Sequence, residues 1–166
     1  MRKLLQLVVL ICIFTVLGGT TLANRAAHFH LMPGIAGHTI IHDYELQVLE
    51  LVNIERAAYG IAPLTLHVSA SIVAREKSAD MMRLNYFDHT SPTYGSPFEM
   101  LSHFGISYQF AGENIAMGHQ TPEQVVQAWM DSPGHRENIL NSSFTQLGIG
   151  FVRNHRTTYW TQLFIG

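Results

Sequence analysis

Three side chains of this sequence could combine to do proton or metal chemistry: His89, Glu113 and His135, with Asp88, Asp131 and Ser132 close by in the chain. Two imidazoles and a carboxylate suffice to hold a zinc ion if one coordination position stays open to water. Without metal, an imidazole and a carboxylate can share general acid–base work. His89 lies 24 residues before Glu113, and Glu113 lies 22 before His135. Only tertiary structure can bring such distant groups together. Each also has a plainer reading. His89, inside Asp-His-Thr-Ser-Pro, can fix a turn. Glu113 can accept backbone N–H bonds from a neighbouring loop, and His135 can serve the first turn of a helix beginning at Gly134.

Other chemistries have no local support. The sequence contains no G-x-S-x-G elbow, no H-E-x-x-H helix, no phosphate loop and no dinucleotide fingerprint. Ser91 and Ser132 each precede a proline, which favours turns. Arg136 and Asn138 read as scaffold, a fork of donors and an amide that tie loops together. Asn53 and Arg56 read as loop anchors. Trp129, Tyr159, Trp160 and Phe164 read as core or cleft wall. Met81, Met82, Met100 and Met117 are adaptable side chains that could line an apolar groove, or fill core.

The elements that must position these groups can be read from periodicity and punctuation. A helix starts from Thr39, with Asp43 and Glu45 near its positive end and Tyr44, Val48, Leu51, Val52 and Ala58 at helical spacing. Gly60 and Pro63 close it. A second helix covers Val68 to Leu84, capped by Ser69 or Ser71, with Ile72, Ala79 and Met82 on its apolar side. Asn85 to Gly95 is irregular. Ser96 caps a short helix from Pro97 to Phe104. Phe110 to Met117 reads as a strand. Thr121 and Pro122 start a helix that buries Val125, Val126, Ala128, Trp129 and Met130, and Ser132-Pro133 interrupts it before another turn or two to Leu140. Leu147 to Arg153 and Thr157 to Phe164 alternate around Asn154 to Arg156, the pattern of a terminal β-hairpin. Helices first and strands late predict an α+β layered domain with a largely antiparallel sheet.

The 166 residues suffice for one domain with its own core. The chain opens with Met1-Arg2-Lys3, an apolar run from Leu4 to Leu17, and a small-residue exit ending Thr21-Leu22-Ala23. That is the form of a secretory signal peptide, and the run is short of the ~20 residues a membrane span needs. Residues 1–23 are therefore expected to be removed, leaving 24–38 as a His-rich linker or tail and 39–166 as the domain. An exported chain would act outside the cell, in the envelope or in a periplasm. Cys12, the only cysteine, falls inside the apolar run, so the mature chain has no thiol for disulfides, catalysis or zinc. With Arg2 and Lys3 removed, 8 basic side chains face 12 acidic ones, a net charge of −4 with neutral histidine. No Lys/Arg stripe exists to track a phosphate backbone, which argues against nucleic acid. Histidine, at 10 residues, can turn surface charge positive in acid.

Six segments in this order resemble the CAP superfamily, the SCP domain of cysteine-rich secretory proteins, antigen 5 and pathogenesis-related 1 proteins. They are LELVNIERAAYGIAPLTL (49–66), NYFDHTSP (85–92), AGENIA (111–116), AWMDSPGHRENIL (128–140), LGIGF (147–151) and YWTQLF (159–164). The resemblance is to the cysteine-free bacterial branch and covers essentially everything after residue 40. It implies a three-layer α/β/α sandwich with a central cleft holding two histidines and two acids. His89 matches the first histidine, Glu113 the first acid and His135 the second histidine. The second acid of animal and plant members lies just after the tryptophan of the preceding helix. Here that place reads Met130-Asp131-Ser132, with no glutamate, and Asp131 is only a candidate, shorter than the family's acid.

Similar proteins have been proposed as proteases, as sterol or lipid binders and as secreted signalling or defence factors. The expected function is therefore an exported domain whose His/Glu cleft binds a small ligand, a peptide or a divalent metal such as zinc. A metal-dependent hydrolase of peptide or cell-wall material and a lipid-binding module stand beside it. In the hydrolase, His89 and His135 would hold the ion and Glu113 would activate water.

Overall fold

The computed structural model describes residues 42–166. The expected signal peptide and His-rich tail lie outside the described residues, whereas the first helix starts at Asp43, with His42 as its extended N-cap, and not at Thr39.

Helix α1 (Asp43–Ala58) leads to a two-residue strand β1 (Thr65–Leu66), helix α2 (Val68–Leu84) and helix α3 (Pro97–His103). Strand β2 (Ala111–Met117) is followed by α4 (Pro122–Asp131), α5 (Pro133–Ile139), and the hairpin of β3 (Gln146–Arg153) and β4 (Thr158–Ile165). The strands form one sheet in the order β1-β3-β4-β2. Three strands are antiparallel neighbours, and only β1 runs parallel to β3. The architecture is α+β, as the order of elements predicts.

Alternation along the strands builds two cores. Trp160 and Phe164 of β4 and Leu147 and Ile149 of β3 pack with Val48 and Val52 of α1, Val125 and Trp129 of α4, and Ile139 of α5. Leu163 and Ile165 face the other way, onto Ala70, Val73 and Ala74 of α2 and Met100 and Leu101 of α3. Period-two side-chain direction thus divides the helices between the two faces of the sheet, giving the three layers.

The Leu-Gly-Ile-Gly-Phe segment explains how closely α2 approaches. A Cβ at Gly148 would lie 2.6 Å from the Ser71 amide nitrogen, and one at Gly150 would enter the backbone of Ala74 and Arg75. Only hydrogen on those two Cα atoms lets the helix backbone rest on β3.

Contact at this distance corrects two readings of α2. Its buried positions run almost all the way round, from Ala70 and Ser71 through Val73, Ala74, Arg75, Lys77, Ser78, Asp80 and Met81. Ile72, Ala79 and Met82, the predicted apolar side, are only partly buried. Nor do Ser69 or Ser71 cap the helix. His67 does, its Nδ1 accepting from the Ala70 amide at 3.1 Å, while Ser71 is drawn inward to accept from Ile149 N at 3.1 Å. Capping at Ser96 is as expected, and Glu99 completes a reciprocal capping box.

On α1, Ala58 is exposed and Arg56 takes the inward place. Its guanidinium donates to the carbonyls of Ala62, Ile139, Asn141 and Phe144. Asn53 exchanges two hydrogen bonds with Leu64, at 2.9 and 2.8 Å. Both residues are the loop anchors their position suggests. Among the described residues no helix is long and apolar enough to cross a membrane.

Candidate functional site

Glu113 comes from β2, the strand at the end of the sheet opposite β1. Its side chain is 2% exposed, whereas that of His89, on the loop between α2 and α3, is 52% exposed. The two meet through His89 Nδ1 and Glu113 Oε1 at 2.8 Å. A carboxylate can only accept, so an ionised Glu113 fixes the proton on Nδ1 and leaves Nε2 as the working nitrogen of His89. The second oxygen, Oε2, is buried without a hydrogen-bond partner among the described residues.

Burial pushes the Glu113 carboxyl above its usual range, against the opposing pull of the His89 hydrogen bond and the Lys77 charge. His89 is raised by its hydrogen bond to Glu113, against the cost of burial and the nearby charge of Lys77. The two shifts have different causes: burial favours the protonated form of Glu113, whereas the neighbouring carboxylate favours the protonated form of His89. His135 is displaced the other way, lowered by burial and by the charge of His89.

His89 and His135 line one cleft of about 530 Å³, which lies along β2 and α4. Phe87, Ile115, Met117 and Trp129 form its apolar wall, and His119 and Ser132 also line it. Ser132 is at once the last residue before α5 and the C-cap of α4, so the Ser-Pro break turns the chain and delivers His135. Asn114 and Asn138 then fix α5 against the strand. Asn114 Nδ2 donates to the His135 carbonyl at 3.1 Å and to Gln162 Oε1 at 3.0 Å. Asn138 Nδ2 donates to the Glu113 carbonyl at 3.2 Å and to Asn114 Oδ1 at 2.9 Å. The Gly-Glu-Asn triplet therefore sends its acid towards His89 and its amide towards α5, on alternate sides of the strand. Trp129 donates its indole N–H to the Ile115 carbonyl at 3.2 Å. With Asn138 it covers two carbonyls of this edge strand, which blunts the edge for pairing with another chain.

Of the predicted set, His89 and Glu113 are in contact and His135 shares the cleft with His89. Asp131 does not join them. It is exposed on α4, accepts from Gln127 Nε2 at 2.9 Å, and is absent from the cleft lining. Its side chain is one carbon shorter than a glutamate and its partner is one turn back on its own helix. Asp88 does line the cleft. Ser91 is buried, but as a donor to Asp80 Oδ2 at 2.7 Å, which is a turn-fixing role.

The donor set does not fit a complete metal centre. Among the described residues no three His, Cys, Asp or Glu side chains converge to hold an ion. His89 and His135 offer two nitrogens, where structural zinc takes four protein ligands and catalytic zinc three.

Sequence reasoning passed over Lys77. It is 1% exposed and donates to the His89 carbonyl at 2.6 Å. A lysine inside an otherwise buried helical stretch was the available signal, hidden because periodicity alone leaves that side of α2 facing solvent.

Residues 49–164 match the CAP family, described as the cysteine-rich secretory protein family. The chain belongs to the CAP family. It is 58% identical over 123 residues to the uncharacterised protein YkwD of Bacillus subtilis (strain 168), an alignment covering 74% of this chain and 47% of YkwD. This CAP domain also superposes on an extracellular protein containing a SCP domain from Bacillus anthracis, with a TM-score of 0.69 and 38% identity over 74% of this chain and 40% of that one. An outer surface protein of Borrelia burgdorferi gives the same TM-score at 21% identity, covering 78% of this chain and 97% of its own, a likeness of fold. This chain thus spans less than half the length of YkwD and of the B. anthracis protein.

Proposed function

We propose that this CAP domain is exported and binds a short peptide in its cleft, with His89 and Glu113 as the polar anchor. The observation that carries the reading is the hydrogen bond between buried Glu113 and His89, which lines one cleft together with His135. The pair presents an oriented imidazole nitrogen beside an aromatic and aliphatic wall, the combination that holds a small ligand by orientation as well as by burial. A volume of about 530 Å³ accommodates a few residues, not a folded partner.

The alternatives have less support. Of the four methionines that could line a lipid groove beside the cleft, Met81 and Met100 are in the core, Met117 reaches the cleft and Met82 lines a separate pocket with Tyr44 and Phe151, so the four share no groove. A metal hydrolase needs a third ligand that the described residues do not bring together. The proposed ligand is a peptide with a free end, whose charge and N–H or C=O groups His89 and His135 can meet.

The test is a titration of the mature protein with a panel of short peptides, with zinc and lipid vesicles as separate arms, followed through the histidine ring resonances. Peptides are expected to move the rings of His89 and His135 and the indole of Trp129. Shifts confined to other residues, or a response to zinc or vesicles alone, would count against the proposal.

A further inference from the structure

The loop that carries His89 has little packing to hold it. Residues 87–90 are exposed, and the His89 ring is more than half so. Two buried charges on α2, three residues apart, grip the loop instead. Asp80 is fully buried and accepts from Ser91 Oγ at 2.7 Å, Thr93 Oγ1 at 2.9 Å and Tyr86 Oη at 2.8 Å. Lys77 donates its ammonium to the main-chain carbonyl of His89 at 2.6 Å and to Tyr86 Oη at 3.4 Å. The same ammonium lies 5.2 Å from the centre of the Tyr86 ring.

Leucine or methionine would fill the Lys77 position without the desolvation cost of burying a charge. The amine is therefore explained by its donors. Two of its acceptors lie on the loop, and one is the carbonyl oxygen of His89 itself, two bonds from the Cα that bears the imidazole. Fixing that carbonyl at one end and Nδ1 at the other leaves the His89 side chain little freedom to turn.

We infer that Lys77 is a positioning residue of the site: its buried ammonium holds His89 through the main-chain carbonyl and so sets the imidazole against Glu113. The inference rests on reading His89 and Glu113 as the polar centre of the cleft. It adds a group that touches no ligand and acts through another residue. The Lys77 charge also favours ionised Glu113, which reinforces the donor role of His89 Nδ1.

The test is made on ligand-free mature protein with Lys77→Met, which keeps the length of the side chain and removes its donors. The His89 Nδ1 proton, protected in the wild type, is expected to lose its NMR signal to fast exchange. Amide exchange over residues 86–91 should accelerate by about tenfold or more, as expected when a hydrogen bond to a charged group is lost. A purely structural lysine would lower the melting temperature and leave the His89 Nδ1 signal in place, and that result would overturn the inference. Should the variant fail to fold, the wild type decides. A coupling across the hydrogen bond between Lys77 Nζ and the His89 carbonyl carbon supports the assignment, and a freely rotating, fast-exchanging ammonium refutes it. None of these readouts uses a ligand, so a failed search for peptides would leave them intact.

Discussion

At the scale of single residues, the two histidines of the cleft are shifted in opposite directions. Glu113 raises the folded-state pKa of His89 above the ordinary value of 6.5. The stability this contributes is fully present below 6.5 and is lost as pH rises through the folded value. His135 is lowered from the same reference, so its contribution is present above 6.5 and lost as pH falls. Thermal melts between about pH 5 and 9 should show His89→Gln flattening the alkaline fall in melting temperature and His135→Gln flattening the acid one. The opposite assignment would refute the pairing. Glu113→Gln keeps the shape of the side chain and removes its charge. It should bring the NMR-measured pKa of His89 down relative to wild type, and an unchanged value would mean that the hydrogen bond is absent in solution. His89, Glu113 and His135 were legible in the sequence because they are chemically unusual inside short turn-rich segments. Lys77 was not, because nothing local distinguishes a lysine whose helix face is buried. Asp131 was suggested by position relative to Trp129, but two residues on from that buried side chain it falls about 200° round the helix, on the exposed side.

At the scale of elements, two packing devices hold the sheet and helices in place. Gly150→Ala places a methyl group in the backbone of α2, which cannot yield as a side chain can. Denaturant unfolding should show a loss of about 1–3 kcal/mol or more. Glu45 and Arg75 form an ion pair at 2.7 Å with both side chains at most 4% exposed, linking α1 to α2. Glu45 also accepts from the Phe151 amide of β3 at 3.2 Å. Removing the carboxylate by Glu45→Ala should cost about 3–5 kcal/mol, because it breaks a buried ion pair and leaves the Phe151 amide without its acceptor. A loss within experimental error in either variant would show that the helix–sheet contact is looser than described. The helix of residues 68–84, the Ser96 and Thr121 caps and the closing hairpin were all readable, since capping and period-two alternation are local properties. β1 was not. Two residues carry no periodicity, and its strand character exists only through pairing with β3, some 80 residues later.

At the scale of the whole molecule, six ordered segments carry the CAP fold, and the fold brings a histidine from a loop and a second histidine from a helix to one cleft, with an acid from a strand in contact with the first. Shared fold does not dictate shared activity, which is why the peptide reading rests on this cleft and not on the family name. Export is the other half of the proposal. Expressed in a secreting host, the protein should appear outside the cytoplasm with its first residue near Asn24, as read by N-terminal sequencing. A full-length chain retained inside the cell would oppose it. The most direct measurement of the central claim is calorimetric titration of the mature protein with peptides released from the host's own cell wall, wild type against the His89→Ala, His135→Ala double variant. The account predicts saturable heat with the wild type and none with the double variant, at matched secondary structure. Equal binding by the two proteins, or binding by neither, would contradict it.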